Sequence, residues 1–278
     1  MANSAYGSGI NLDALMVNTK AATVFTAHES SLFLSGGLIP AVNVPAGSVV
    51  AQVPVMGNVA ATKLTAEATP GVDLDSVLPT DTKKTINVDL HAARMVLRDL
   101  GGADAGEMGR ILGNSVSTSF DTDVAAVMGN LTAQEITAGD LDLDEIFSAV
   151  ATIRGAGETG SLTGIVSTNA YAALMSNIGS TAYAGGDFQT EALRNGFLGN
   201  IAGVQFFVSS YLNDTNTGVT GTKCAIFGQD AMRIAMQKNV DLEVERRAAA
   251  VGFDVVASLH AGVGLVDAAR GVLIKDAA

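Results

Sequence analysis

The sequence predicts an α+β fold, and three features of its pattern predict it. One long stretch, Asp104 to Met128, repeats apolar residues at spacings of three and four. Several short runs alternate apolar and polar residues with period two. Between the first two of those runs lie roughly thirty residues of small and polar character, Met56 to Lys84. A chain of 278 residues is long enough for one large domain or two modest ones.

The elements follow in order. The first 35 or so residues read as an arm. Leu12, Leu15, Met16, Thr19, Ala22 and Thr23 fall at helical spacing, continued irregularly by Phe25, Leu32 and Phe33, until Gly36-Gly37 stops any helix. An amphipathic arm needs a partner surface, in its own core or a neighbour's. Val49 to Val55 then reads as an extended strand in which Pro54 argues for an edge or unpaired position. Its return strand is Thr85 to Leu90, with Ile86, Val88 and Leu90 on one face. The long segment between them lacks the large apolar groups to bury itself, so it should project, and a two-stranded hairpin alone is marginal.

The stretch Asp104 to Met128 makes the longest helix, with Met108, Ile111, Leu112, Val116, Phe120, Val124, Val127 and Met128 on its face and Asp104 with Glu107 as a capping box. At 1.5 Å per residue it is a rod of roughly 38 Å. Gly106, Gly109 and Gly113 each weaken it by about 1 kcal/mol, so they imply close packing or bending. The second half reads as mixed α and β. Asp142 and Glu145 cap a helix with Ile146, Phe147, Val150 and Ile153 on its face, and Gly155 and Gly157 end it. Gly164 to Val166 is a short buried strand, and Ser167 or Thr168 caps a helix bearing Tyr171, Leu174, Met175 and Ile178. Strands are expected at 203–209, 223–227, 240–245, 252–259 and 271–275, with a polar loop at 213–221.

Composition narrows the function. The net charge is −12, which makes a poor general binder of nucleic acid or anionic membrane. Only 16% of residues are charged, against roughly 25% in an ordinary soluble domain, which hints that much of the surface faces other protein. With a single cysteine, Cys224, there is no intramolecular disulfide and no cysteine-based zinc site. The first ten residues show no signal-peptide pattern and no stretch is long and apolar enough to span a membrane, so the chain is expected in the cytoplasm of its host cell or released by lysis.

No reaction centre emerges. His28, His91 and His260 have no neighbour at metal-ligand spacing. Cys224 sits in an apolar run, as a buried hydrophobe does. The glycine pairs match no phosphate-binding loop, and Asp140, Asp142, Asp144 and Glu145 fail the calcium-loop spacing. No cofactor is expected. The charged residues that remain are candidates for contact between subunits: Lys63, Glu67, Asp73, Asp75, Lys83 and Lys84 in the hairpin, Arg94 after it, and the pair Arg246-Arg247; a solvated face stays open for Asp73, Asp75 and the arginine pair.

The C-terminal block carries a resemblance. It reads Ala225-Ile226-Phe227-Gly228-Gln229-Asp230-Ala231, then Ile234-Ala235-Met236-Gln237-Lys238, Glu243-Val244-Glu245-Arg246, Gly252-Phe253-Asp254, Gly262-Val263-Gly264 and Arg270-Gly271-Val272. This resembles the closing segment of the major capsid proteins of tailed bacteriophages, the Hong Kong 97 type fold. The resemblance implies an N-terminal arm (1–39), an extended hairpin loop (40–90), a peripheral domain with a spine helix (91–139), an axial domain (140–227) and C-terminal strands returning to the peripheral domain (228–278). It implies a structural protein with no catalytic step, assembling through pentamers and hexamers into an icosahedral shell around double-stranded DNA, in the virion and assembled in the host cytoplasm. It further implies a portal protein and a separate scaffolding protein, allows a decoration protein, and implies DNA enclosed without sequence-specific binding and no membrane. Certain members of the family link a loop lysine to a neighbour's asparagine with a glutamate's help. Lys63 is the obvious lysine here, with Glu67 near it in sequence, and no asparagine is assigned. Three other readings stay open. An encapsulin-like bacterial nanocompartment would have a cargo enzyme. An α/β enzyme with a lid loop would need convergent titratable groups. A surface-layer or adhesive protein would need an export signal.

Overall fold

The structure, a computed structural model, describes residues 19–27, 31–35, 37–56, 61, 78–79, 81–98, 105–136, 141–179, 200–250 and 252–277. The strands β1 (Ala41–Asn43), β2 (Val50–Met56), β3 (Asp81–Asn87) and β4 (Asp89–Arg98) precede the long helix. After it come β5 (Thr132–Ile136), β6 (Leu162–Ser167), β7 (Asn200–Ile201), β8 (Val204–Ser209), β9 (Thr222–Gly228), β10 (Met232–Arg247), β11 (Gly252–Leu265) and β12 (Gly271–Asp276). They form three sheets: a four-stranded one in the order β1-β10-β11-β4, a six-stranded one in the order β5-β12-β9-β6-β8-β7, and the pair β2-β3.

The helices are α1 (residues 19–27), α2 (Leu32–Ser35), α3 (Ala105–Met128), α4 (Leu143–Gly155), α5 (Thr168–Gly179) and the single turn α6 (Asp214–Thr217). The 24 residues of α3 make a rod of about 36 Å. Its buried row is Met108, Leu112, Val116, Phe120, Val124 and Met128, a strict spacing of four that packs against the four-stranded sheet through Val255, Ala257 and Leu259 of β11. Ile111, expected on that face, is 48% exposed, because a row of fours leaves it one position round the helix.

The glycines of α3 have a specific use. An added Cβ at Gly109 would lie 2.6 Å from the Ala22 Cβ, and one at Gly113 would lie 2.5 Å from the Thr23 carbonyl oxygen. The two glycines are the notch in which α1 lies, so the described part of the arm seats on its own chain. Between α1 and α3, Thr19, Thr23 and Ala27 are buried. The cap expected at Asp104 and the apolar residues Leu12, Leu15 and Met16 fall outside the described residues.

The six-stranded sheet is buried on both faces at its centre. Leu162, Val166, Val204, Phe206, Cys224, Ile226, Val272 and Ile274 pack under α4 and α5, while Ile165, Ala225, Phe227 and Leu273 join the core around α3. Asp142 caps α4, its Oδ1 accepting from the Leu143 N–H at 2.6 Å, and Ser167 caps α5, its Oγ accepting from the Ala170 N–H at 3.2 Å. Glu145, three residues after the cap, has its Oε2 buried without a hydrogen-bond partner. On α4 Ala149 rather than Phe147 completes the buried face.

Two expectations change at the strands. Thr85 to Leu90 is not one strand: pairing breaks at Val88, where the chain leaves the hairpin strand β3 for β4. Ile86 is buried at the hairpin root and Leu90 is exposed on the sheet, so the alternation runs across two elements. The C-terminal strands also divide. β10 and β11 stand with α3, but β12 lies between β5 and β9 in the six-stranded sheet. Its run Val272-Leu273-Ile274 is buried throughout, as a central strand requires. β5, from the segment before residue 139, joins it there.

Candidate assembly surfaces

The hairpin β2-β3 has almost no core of its own. Only its root is buried, where Ala51 and Ile86 meet Val44 and Ala235. The root is seated over β11 at two glycines. A Cβ at Gly262 would lie 1.8 Å from the Asn87 carbonyl oxygen, and one at Gly264 would lie 2.6 Å from Ile86 Cγ1. Val88 N–H donates to Val49 O at 2.9 Å, and Gln237 Nε2 donates to Ser48 O at 2.6 Å. Beyond the root, β3 is exposed along its length and both outer edges of the ribbon are unpaired among the described residues. Pro54 sits on such an edge strand, opposite Lys83.

The charges sort the surfaces. Most described basic side chains are matched within the chain. Arg94 forks onto the Asp254 carboxylate, with Nε at 2.7 and 2.9 Å from its two oxygens and a further bond from Nη2. Arg247 reaches the same carboxylate at 3.9 Å, and Arg246 lies 5.3 Å from the Phe253 ring centroid. The hydrogen bond from Arg94, and then its charge and that of Arg247, hold the Asp254 carboxyl below its ordinary range. Arg94 and Arg247 therefore share Asp254 across β4, β11 and β10 near the β10–β11 turn, while Arg246 and Phe253 lie on the opposite face of the sheet. Lys20 and Lys238 bind Asp241 at 2.5 and 3.0 Å, and hydrogen bonds from these two lysines push its carboxyl well down. Lys223 pairs with Asp276 and Lys275 with Glu135.

Lys83 and Lys84 differ. Both are exposed on β3, on opposite faces of the ribbon, and neither has an ion-pair partner among the described residues. Lys63, Glu67, Asp73 and Asp75 lie outside the described residues.

Other titratable groups are structural. His91 is buried between β4 and α3, its Nδ1 2.9 Å from Ser119 Oγ and its ring edge-on to Phe120, while Nε2 lies 3.6 Å from Asp123 Oδ2. His260 Nδ1 lies 3.1 Å from Gln237 Oε1. Cys224 is fully buried, and burial pushes its thiol far up. Asp121, on the buried side of α3, accepts from Ser31 Oγ at 2.6 Å and from the backbone of Leu32 at the start of α2; burial pushes its carboxyl up to about 6. Sequence reasoning missed Asp121. Its only signal was an acid one turn from Ser117 and Ala125, beside the apolar Phe120 and Val124. Among the described residues no group of histidine, cysteine, aspartate and glutamate has metal-site geometry, and no helix is long and apolar enough to cross a membrane.

No family model matches the sequence, and no curated protein is similar to it. Solved structures are. The capsid of cyanophage P-SCSP1u matches with a TM-score of 0.69 at 16% identity, over 86% of each chain. Mycobacterium phage Che8 matches at 0.64 and 19% identity, over 82% of this chain and 84% of that one. A virus-like particle from Pyrococcus furiosus matches at 0.65 and 11% identity, over 94% of this chain and 99% of that one. The chain has the fold of phage capsid proteins, as the resemblance in its C-terminal block implies.

Proposed function

We propose that this chain is the major capsid protein of a tailed phage, a structural subunit that assembles through pentamers and hexamers into an icosahedral shell around double-stranded DNA. The observation that carries this reading is the likeness to phage capsid structures across more than four-fifths of both chains. The hairpin supports it. An exposed two-stranded ribbon rooted on two glycines is marginal by itself and gains burial on a neighbouring copy. Lys83 and Lys84 then meet acidic groups of that neighbour, and Arg94, Arg246 and Arg247, near the β10–β11 turn, face a second interface. The hairpin segment holding Lys63, Glu67, Asp73 and Asp75 belongs to the same contact. A net charge of −12 suits a wall that does not grip its genome. The arm, hairpin loop, peripheral and axial domains keep the boundaries given above, apart from β5 and β12. A portal, a separate scaffolding protein and, on some shells, a decoration protein are the partners, and assembly takes place in the host cytoplasm. The reading includes no catalytic step.

Electron microscopy and mass photometry of the purified chain test it. Uniform icosahedral particles with pentameric or hexameric precursors are expected. A stable monomer or dimer, even with crowding agent and at low salt, would overturn it. Shells that hold a protein cargo and no DNA in the native source would overturn the phage assignment and leave the shell.

A further inference from the structure

The chain crosses between the four- and six-stranded sheets three times: at 129–131 from α3 into β5, at 229–231 from β9 into β10, and at 266–270 from β11 into β12. The crossings touch. A Cβ on Gly271 would lie 2.6 Å from Leu131 Cδ2, and the Ala231 carbonyl accepts from the N–H groups of Val266 and Asp267 at 2.9 and 3.2 Å. Met128, Leu131, Phe227, Ala231 and Met232 fill the space around them with apolar contact. Apart from those two backbone hydrogen bonds the contact is non-directional, so it holds the two sheets together and leaves the angle between them loosely fixed.

Direction comes from an ion cluster laid over the same crossings. Glu158, in the turn from α4 to β6, is buried. Its Oε1 accepts from the Gly160 N–H at 2.8 Å and its Oε2 from Arg270 Nη1 at 3.4 Å. Arg154 Nη1 fixes that turn by donating to the carbonyls of Glu158 and Gly160 at 2.9 and 2.8 Å. Gly228 leaves room for the carboxylate, since a Cβ there would lie 2.6 Å from Glu158 Cγ. Arg270 also reaches Asp230 Oδ2 at 3.0 Å and Asp267 Oδ2 at 3.2 Å, and Asp230 Oδ1 accepts from Arg233 Nη2 at 2.7 Å. The charges thus run from the α4–β6 turn beside the six-stranded sheet, through the third and second crossings, to Arg233 at the start of β10 in the four-stranded sheet.

We propose that the cluster of Glu158, Asp230, Arg233, Asp267 and Arg270 is a clasp that sets the angle between the two sheets, with the apolar contact beneath it as the pivot. Planar guanidinium forks constrain orientation as well as distance, which the apolar pivot does not. One consequence rests on the shell reading: a chain that occupies five-fold and six-fold surroundings needs one adjustable joint, and a loosened clasp widens the range of shell sizes.

The test uses the full, unassembled chain, so it stands whether or not shells form. Spin labels go on Thr152→Cys of α4 and Asn114→Cys of α3, both exposed, while Cys224 is fully buried. Pulsed dipolar spectroscopy then reads the distance distribution between the two sheets. One narrow distance is expected for the native clasp, and a distribution about twofold broader for Arg270→Gln and for Asp230→Asn. Where Arg270→Gln leaves Glu158 buried without its cation and does not fold, Asp230→Asn decides, because the Asp230 side chain is half exposed. An unchanged width in folded Asp230→Asn overturns the proposal. Shell formation by native protein, with broader diameters for Asp230→Asn, extends it to assembly. Uniform native diameters in Asp230→Asn shells would overturn the link to shell size, and native protein that forms no shells bears on the shell reading alone.

Discussion

The hairpin β2-β3 and the centre of the six-stranded sheet are both made of paired strands, yet their burial is opposite. β9 and β12 bury side chains on both faces, and almost nothing on them reaches solvent. β3 buries one residue of seven, Ile86. Backbone pairing is common to both, so pairing does not account for the difference. The sheet draws its stability from apolar area removed from water within the chain, whereas the hairpin holds its shape only at a root borrowed from β11. A subunit divided this way folds on its own core and leaves one element whose burial awaits a partner.

The largest test removes core from the stable side. Phe227→Ala empties a site between the six-stranded sheet and α3 and is expected to cost about 3–5 kcal/mol, read as a lowered midpoint in urea. Val53→Ala, half-buried on the hairpin, is expected to cost under about 1 kcal/mol. Equal losses would end the distinction between the two regions.

Next in size is the pH dependence of the buried core. Asp121 is raised from 3.8 to about 6 by burial, so the folded chain binds a proton more tightly than the unfolded one. Its contribution is therefore fully present below about pH 4 and is lost as pH rises through about 6, up to about 3 kcal/mol across that window. Asp121→Asn is expected to flatten that part of the stability profile. The measurement is urea unfolding at several pH values between 4 and 7, and an unchanged slope in the variant would remove Asp121 from the account. The hairpin has no buried acid among its described residues and should add nothing to this slope.

Much of this was legible in the sequence. The long helix α3, the caps at Asp142 and Ser167, the period-two strand of β10 and the close packing implied by Gly109 and Gly113 all follow from local patterns, because each depends on residues a few positions apart. The break at Val88 was not legible, since β3 and β4 share a continuous alternation and only long-range pairing divides them. Nor was the place of β12, whose short apolar run fits any central strand. The ion clasp was the least legible. Glu158, Asp230 and Arg270 are far apart in sequence, and only the three chain crossings bring them together.

A smaller effect should come from the seat of the hairpin. Gly262→Ala would place a Cβ 1.8 Å from the Asn87 carbonyl oxygen, so backbone has to move. The expected cost is about 1–3 kcal/mol, with faster amide exchange at residues 85–88 and none of that change in β9. Uniform change across both sheets would mean the hairpin root is part of the core after all.

The smallest effect on the subunit is the most telling for assembly. Lys83 and Lys84 touch no carboxylate among the described residues, so the paired reversal Lys83→Glu with Lys84→Glu removes no ion pair among them. Exposed charges of this kind shift stability by about 0.5 kcal/mol or less. The melting midpoint of the unassembled subunit should therefore barely move. Assembly should move a great deal, because the same two lysines are repeated at every copy of one interface, and small losses per contact multiply around a closed shell. Light scattering should show a higher critical concentration for particle formation, and added salt should narrow the gap between native and reversed chains. A lowered melting midpoint would place these lysines in the subunit's own stability, and unchanged assembly would show that the hairpin's exposed charges face solvent in the shell.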